Sequence, residues 1–286
     1  MTYLTKFVAF ATLPVLAACG GGSSGSGGSG DLFATTDDGS FEEVVTSSGV
    51  TGYVGWSDGT ISQVRVRADL SGEEAIVYLS IDGGEEVAYA LDEGNEFGDY
   101  PVYLVGPENA GLFFGDNGSD MTDFISFGSE DRTSLFDGTI GLRTADLPDE
   151  TIVYEGDDWA VYSQEIAPET LSIAGDTMTL TVGFGTGTVT GAADGDVGYY
   201  DTVLEAGEVG NITATIAGSI EGSELNATMT VVGDATATLE MQGAVYGVFA
   251  EELSGAMGGS INYEGLELDA GGWFLTERAL SICIEC

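Results

Sequence analysis

In Gln63-Val64-Arg65-Val66-Arg67-Ala68 apolar and polar residues alternate strictly, the pattern of a β-strand that lays one face on a core. Regular patterning begins near Tyr53, and the runs 75–81 and 86–91 flank Asp82-Gly83-Gly84-Glu85, a hairpin signal. Further runs at 100–105, 111–114 and 124–127 are separated by Gly, Pro, Asn and Asp, so about six short strands precede residue 138. A second block, richer in Thr and Gly, offers candidate strands at 152–155, 159–163, 178–184, 187–192, 211–220, 225–232, 235–248, 259–264 and 272–276. Eight or nine strands at roughly 16 to 18 residues per strand and turn suit an eight-stranded up-and-down barrel. No helical period of useful length interrupts the series, so the expected class is all-β. The strands lack the continuous lipid-facing bands and aromatic girdles of a transmembrane barrel.

The N-terminus follows a different logic. Lys6 precedes the apolar run 7–18, too short to span a bilayer and of the length of a secretion signal. The run ends Leu16-Ala17-Ala18-Cys19-Gly20, which resembles the lipobox of bacterial lipoproteins, where cleavage before the cysteine leaves Cys19 as the acylated N-terminus. Residues 20–30 are Gly and Ser only, a coil reaching roughly 20 Å root-mean-square from the membrane. Position 20 is Gly and not Asp, so nothing resembles the inner-membrane retention signal of this class, and outer-membrane sorting is the default.

Charge narrows the function. The 286 residues carry 48 acidic and 6 basic side chains, and loss of residues 1–18 with Lys6 leaves five arginines against 48 acids, a net charge of −43. Such a surface excludes nucleic-acid binding through a basic footprint. The acids are spread along the chain, which favours solvation in a saline medium over a funnel for a cationic ligand. There is no histidine, so no imidazole base, no Ser-His or Cys-His pair and no His-dependent zinc site is possible. With 48 acids a carboxylate pair suited to glycoside chemistry carries no information, and no catalytic residue is assigned.

Two further features bear on metals and thiols. Cys283 and Cys286, in a chain that has left the cytosol, read as a small disulfide ring, since nothing helical follows to lower a thiol pKa. Asp194-Gly195-Asp196 with Asp201, and Asp116-Asn117-Gly118-Ser119-Asp120, place oxygen ligands in Gly-bearing loops but lack the full spacing of a calcium loop. They read as solvated turns, with metal binding left open and no cofactor expected. Haem capture would have to use Tyr or Met, against an acidic surface.

The segment Gly243-Ala244-Val245-Tyr246-Gly247-Val248-Phe249-Ala250-Glu251-Glu252-Leu253-Ser254-Gly255 resembles the barrel signature of the transferrin-binding protein B family, a Gly-x-Phe-Tyr-Gly-Pro strand end followed by Ala-x-Glu and a glycine. Tyr246, Gly247, Ala250, Glu252 and Gly255 match in place, while Val245 stands for Phe and Val248 for Pro. Segments 144–154 and 180–191 resemble barrel segments of short family members. The resemblance implies one lobe: signal peptide 1–18, tether and acidic lead-in 19–48, a handle-like antiparallel β domain 49–138 and an eight-stranded antiparallel β-barrel 139–286. It also implies a surface-exposed outer-membrane lipoprotein, not an enzyme, that captures a nutrient or protein ligand through variable loops. The alternative is an envelope-structural lipoprotein with no captured ligand. The matched residues read as framework: Gly247 and Gly255 permit tight turns, Tyr246 packs at a strand end, and Glu252 accepts backbone N–H bonds.

Overall fold

A computed structural model describes residues 48–69, 71, 76–97, 100–105, 110–115, 122–128, 135–163, 169–201 and 207–279. These form sixteen strands in two closed antiparallel sheets. The first contains β1 (Val50–Trp56), β2 (Ile61–Asp69), β3 (Ile76–Ile81), β4 (Val87–Phe97), β5 (Tyr100–Val105), β6 (Ala110–Gly115), β7 (Thr122–Gly128) and β8 (Leu135–Gly141). The second contains β9 (Thr151–Ser163), β10 (Glu169–Gly183), β11 (Thr188–Asp201), β12 (Gly207–Glu221), β13 (Glu224–Gly233), β14 (Ala235–Tyr246), β15 (Glu252–Tyr263) and β16 (Leu266–Arg278). Each strand pairs with the next, and β8 with β1 and β16 with β9 complete the two circuits. The all-β class and the C-terminal eight-stranded barrel are as the sequence predicts.

The first sheet holds eight strands where the sequence pattern indicates about six. The two additions, β1 and β8, pair with each other from Thr51↔Gly141 to Trp56↔Phe136 and so close the sheet. Neither shows a clean period of two. In β1 nearly every position is buried on one face or the other, so no polar residue marks an outer side. The β4–β5 ladder is interrupted between Leu91 and Glu96.

In the second sheet, the runs 152–155 and 159–163 are one strand, β9. The acidic Gly156-Asp157-Asp158 between them has the composition of a turn. It stays in the ladder: the register with β10 runs unbroken from Gly175↔Trp159 to Met178↔Gly156, while β16 on the other side shifts register between Leu275 and Glu277.

Side chains fill both lumens. Val54, Val64, Val66, Val77, Leu112, Ile125 and Ile140 meet inside the first. Ile173, Leu180, Val182, Ile216, Met229, Leu239, Met257 and Phe274 are among those inside the second. Each fully buried aliphatic or aromatic side chain contributes roughly 1.5–3 kcal/mol, so these interiors are the main source of stability.

Burial along individual strands shows where the barrels meet. On the free wall, β13 and the first half of β14 alternate buried and exposed, as one-sided strands should. The last residues of β14, the first seven of β15 and the stretch 270–276 of β16 are buried on both faces. Their outer faces lie against β1, β7 and β8, so the barrels stand side by side along a shared seam.

Candidate functional site

The family-like segment lies on this seam. In β14, Val245 points into the barrel core while Ala244 and Tyr246 point out, and they form a small apolar cluster with Ala256 of β15 and Tyr53 of β1, flanked by Ile61. Further along, the two barrels approach backbone to backbone. A Cβ on Gly55 would lie 2.3 Å from the Met257 carbonyl oxygen, and one on Gly271 would lie 2.0 Å from that of Trp56. Gly59 and Gly258 meet in the same way, so only glycine lets the walls touch here. Phe124 of β7 meets Trp273 of β16 edge to face, with ring centroids 5.4 Å apart.

Polar groups pin the rest. The segment after β8 runs past the end of β14, where Arg143 bridges to Tyr246, the Thr144 amide donates to the Val245 carbonyl at 2.9 Å, and the Thr144 hydroxyl donates to the Gly247 carbonyl at 2.6 Å. The Arg143 guanidinium donates to Glu224 at 2.6 Å and to the Tyr53 hydroxyl at 3.4 Å. Burial raises the phenols of Tyr53 and Tyr246 above their ordinary range, with Arg143 pulling the other way, so both stay neutral. Glu252, also buried, accepts a hydrogen bond from the Thr122 hydroxyl of β7. Asp137 of β8 also faces the seam. Loss of solvent raises its carboxyl to about 6, partly offset by a hydrogen bond with Ser126. Burial, then the charges of Asp137 and Asp158, raise the Tyr162 phenol of β9 as well.

The five matched residues divide by position. Tyr246 ends β14 and is fully buried. Gly247 has φ +86° and opens the turn, a conformation glycine adopts freely. Ala250 is at φ 59° with its carbonyl accepting from the Tyr154 hydroxyl at 3.1 Å. Gly255 is not at a turn: it sits inside β15 opposite Gly243, where a Cβ would lie 2.2 Å from the Gln242 carbonyl oxygen. Its role is close approach of neighbouring strands. Glu252 reaches across the seam to a side-chain hydroxyl, an interaction beyond the backbone bonds expected of it.

The candidate acidic loop at 194–196 is likewise not a loop. Asp194, Gly195 and Asp196 belong to β11 and pair with Thr213, Ile212 and Asn211 of β12, while Asp201 ends the same strand. Residues stretched along a strand at a rise of about 3.3 Å each cannot wrap a cation as a loop does. Among the described residues no three Cys, Asp or Glu side chains gather as a metal site would require. Cys19, Cys283, Cys286 and residues 116–120 lie outside the described residues. The four described arginines each face a carboxylate: Arg65 and Arg67 share Glu86, Arg143 has Glu224, and Arg278 has Glu150 at 2.8 Å.

These features define a class: an all-β lobe of two filled barrels joined along a small-residue seam. Solved structures of similar fold include crystal structures of the vaccine antigen transferrin-binding protein B from Haemophilus parasuis. A double mutant gives 18% identity and a TM-score of 0.47, and a single mutant 16% and 0.46, each over 81% of this chain and 45% of that one. The isotype 1 protein from serogroup B Neisseria meningitidis gives 17% identity and a TM-score of 0.40 over 81% of this chain and 44% of that one. The chain thus spans less than half the length of these structures. No protein-family model matches the chain, and no curated protein matches it.

Proposed function

We propose that this protein is an outer-membrane lipoprotein, acylated at Cys19 and displayed on the cell surface, that works by binding a nutrient or protein ligand and not by catalysis. The observation that carries this reading is the filling of both lumens: with the interiors packed and the barrels fused, contact with a ligand falls to the outer walls and connecting loops. A lipid-anchored tether in front of such a body suits presentation to the medium. The motif residues serve this as framework: Tyr246 and Glu252 contact the first barrel, while Gly247, Ala250 and Gly255 shape the turn and the β14–β15 pairing within the second. The strand ends Ser163, Glu169, Asp201 and Gly207 lie at the barrel end opposite the Gly247 turn, which makes that end the place to look for ligand contacts. The solved structures of similar fold bear the name of a transferrin-binding protein, but a single lobe of net charge −43 suits a free-living, saline setting better than a host protein as ligand. The pair Cys283 and Cys286 is taken to form a disulfide, with no cofactor.

Protease shaving of intact cells tests the reading, with immunoblotting for this lipoprotein and a periplasmic protein as leakage control. Loss of signal from intact cells is the expected result. Protection until the outer membrane is broken would sink surface capture and leave an envelope-structural role.

A further inference from the structure

The seam has a close-packed part and a polar part. Around Gly55, Gly258 and Gly271 backbone meets backbone, with no space for a side chain. Nearer the Gly247 turn, the register brings polar side chains of the two walls face to face. Thr122 of β7 donates to Glu252 of β15. One outward position further along each wall stand Thr139 of β8, paired with Tyr53 and Phe124, and Ser254 of β15, paired with Ala244. Tyr246 pairs with Glu252 across β14 and β15, and Arg143 bridges to Tyr246 from the segment after β8.

Four enclosed side-chain atoms in this stretch have no hydrogen-bond partner among the described residues: Thr139 Oγ1, Ser254 Oγ, Tyr246 Oη and Arg143 Nε. Thr139, Ser254 and Tyr246 are fully buried. No other enclosed side-chain polar atom among the described residues lacks a partner, so the four are concentrated where the barrels meet. They come from both sides: Thr139 from the first barrel, Ser254 and Tyr246 from the second, Arg143 from the link between them. Leaving one buried hydroxyl unmatched weakens folding roughly five- to a hundredfold, so a guest that matches several at once is strongly favoured. That guest must both accept and donate, because Arg143 Nε only donates while the hydroxyls do either. An ion suits the stretch poorly. Glu224 already balances the Arg143 charge, an anion would meet the acidic Glu224 and Glu252, and a cation would meet the Arg143 guanidinium. Water has the required chemistry, and the small neighbours Gly141, Ala244 and Ala256 put little side-chain bulk between the walls.

We propose that this stretch of the seam is a built hydration site, in which ordered water bonded to Thr139, Ser254, Tyr246 and Arg143 joins one barrel to the other. Urea unfolding of the full chain tests it with Thr139→Val, Ser254→Ala and Tyr246→Phe, each of which deletes one hydroxyl at nearly constant shape. Each variant should lower the folding equilibrium constant about threefold or more. Thr139→Val combined with Ser254→Ala should lower it by less than the product of the two single effects, because both lose the same bridge. A constant that holds or rises would show hydroxyls unmatched in a dry seam, and strictly multiplicative effects would show separate partners; either result overturns the proposal. A crystal structure at a resolution that reveals ordered solvent gives an independent reading. Water within about 3.2 Å of Ser254 Oγ and Tyr246 Oη is expected there. Its absence, an ion in its place, or a direct bond between these side chains would each count against the site.

Discussion

The hydroxyl of Thr122 on β7 donates to the carboxylate of Glu252 on β15, linking residues 130 positions apart across two separate barrels. Both residues are almost wholly buried. A carboxyl group away from water costs free energy unless its hydrogen bonds are made, so this pair rewards one relative placement of the barrels and penalises others.

Thr122→Val keeps the shape and removes the donor, and should cost about 1.5–3 kcal/mol. Glu252→Gln keeps an acceptor and should cost less than Glu252→Ala, which also leaves a void. In the double-mutant cycle of Thr122→Val with Glu252→Gln, a coupling of about 1 kcal/mol or more by urea denaturation is expected. Strict additivity would mean that the contact does not couple the barrels.

The glycine contacts make a steric prediction. A methyl group on Gly271 would stand 2.0 Å from the Trp56 carbonyl oxygen, and the atom it meets is backbone on the opposite barrel wall. Gly271→Ala should therefore wedge the seam and cost about 2–4 kcal/mol, at or above the usual range for overpacking. Calorimetry should show the single unfolding transition of the parent broadened or split, because the barrels keep their own cores when the seam opens. A Tm within a degree of the parent would show that the walls separate at little cost.

The strand alternation is readable wherever a strand has one wet face, as in Gln63 to Ala68. The seam is not legible in this way, because strands buried on both sides lose the alternation that betrays them. A different signal was present. Residues 253–263 and 270–276 carry no charge in a chain where 48 of 286 residues are acidic, and they are rich in Gly, Ala and Ser. In so acidic a protein, a charge-free stretch of small residues marks a surface that must touch another surface. The position of Gly255 inside β15 and of Asp194 and Asp196 inside β11 could not be read for a related reason: glycine and aspartate signal turns by composition, while here cross-strand pairing overrides local preference.

The spread of acids predicts a salt response. At low ionic strength the carboxylates repel one another in the folded state, and each of the four described arginines already has an acidic partner. Raising NaCl from about 0.1 to 1 M shortens the Debye length from about 10 to 3 Å. The Tm should rise by about 5 °C or more, the size of a stabilisation of 2–3 kcal/mol in a chain of this length. A flat or falling Tm would argue against the acids as a saline adaptation.

Asp137 should make the seam sensitive to pH. Its carboxyl is enclosed between β8, Ser126 and the second barrel, though the residue keeps some surface, and the only cause that raises it is loss of solvent. Its folded pKa, about 6, lies above the ordinary value of 3.8, so the folded chain holds this proton more tightly than the unfolded one. The resulting penalty is absent below pH 3.8, grows between pH 4 and 6, and is complete above pH 6. Asp137→Asn keeps the shape and a partner for Ser126, and removes the charge that helps to raise the Tyr162 phenol. It should stabilise the protein by about 1–3 kcal/mol at pH 8 and by almost nothing at pH 4. Urea midpoints of parent and variant across that range, at constant high salt, isolate this group because the other carboxylates are common to both chains. A variant equally or more stabilised at pH 4 would show that Asp137 is not held protonated by burial at the seam.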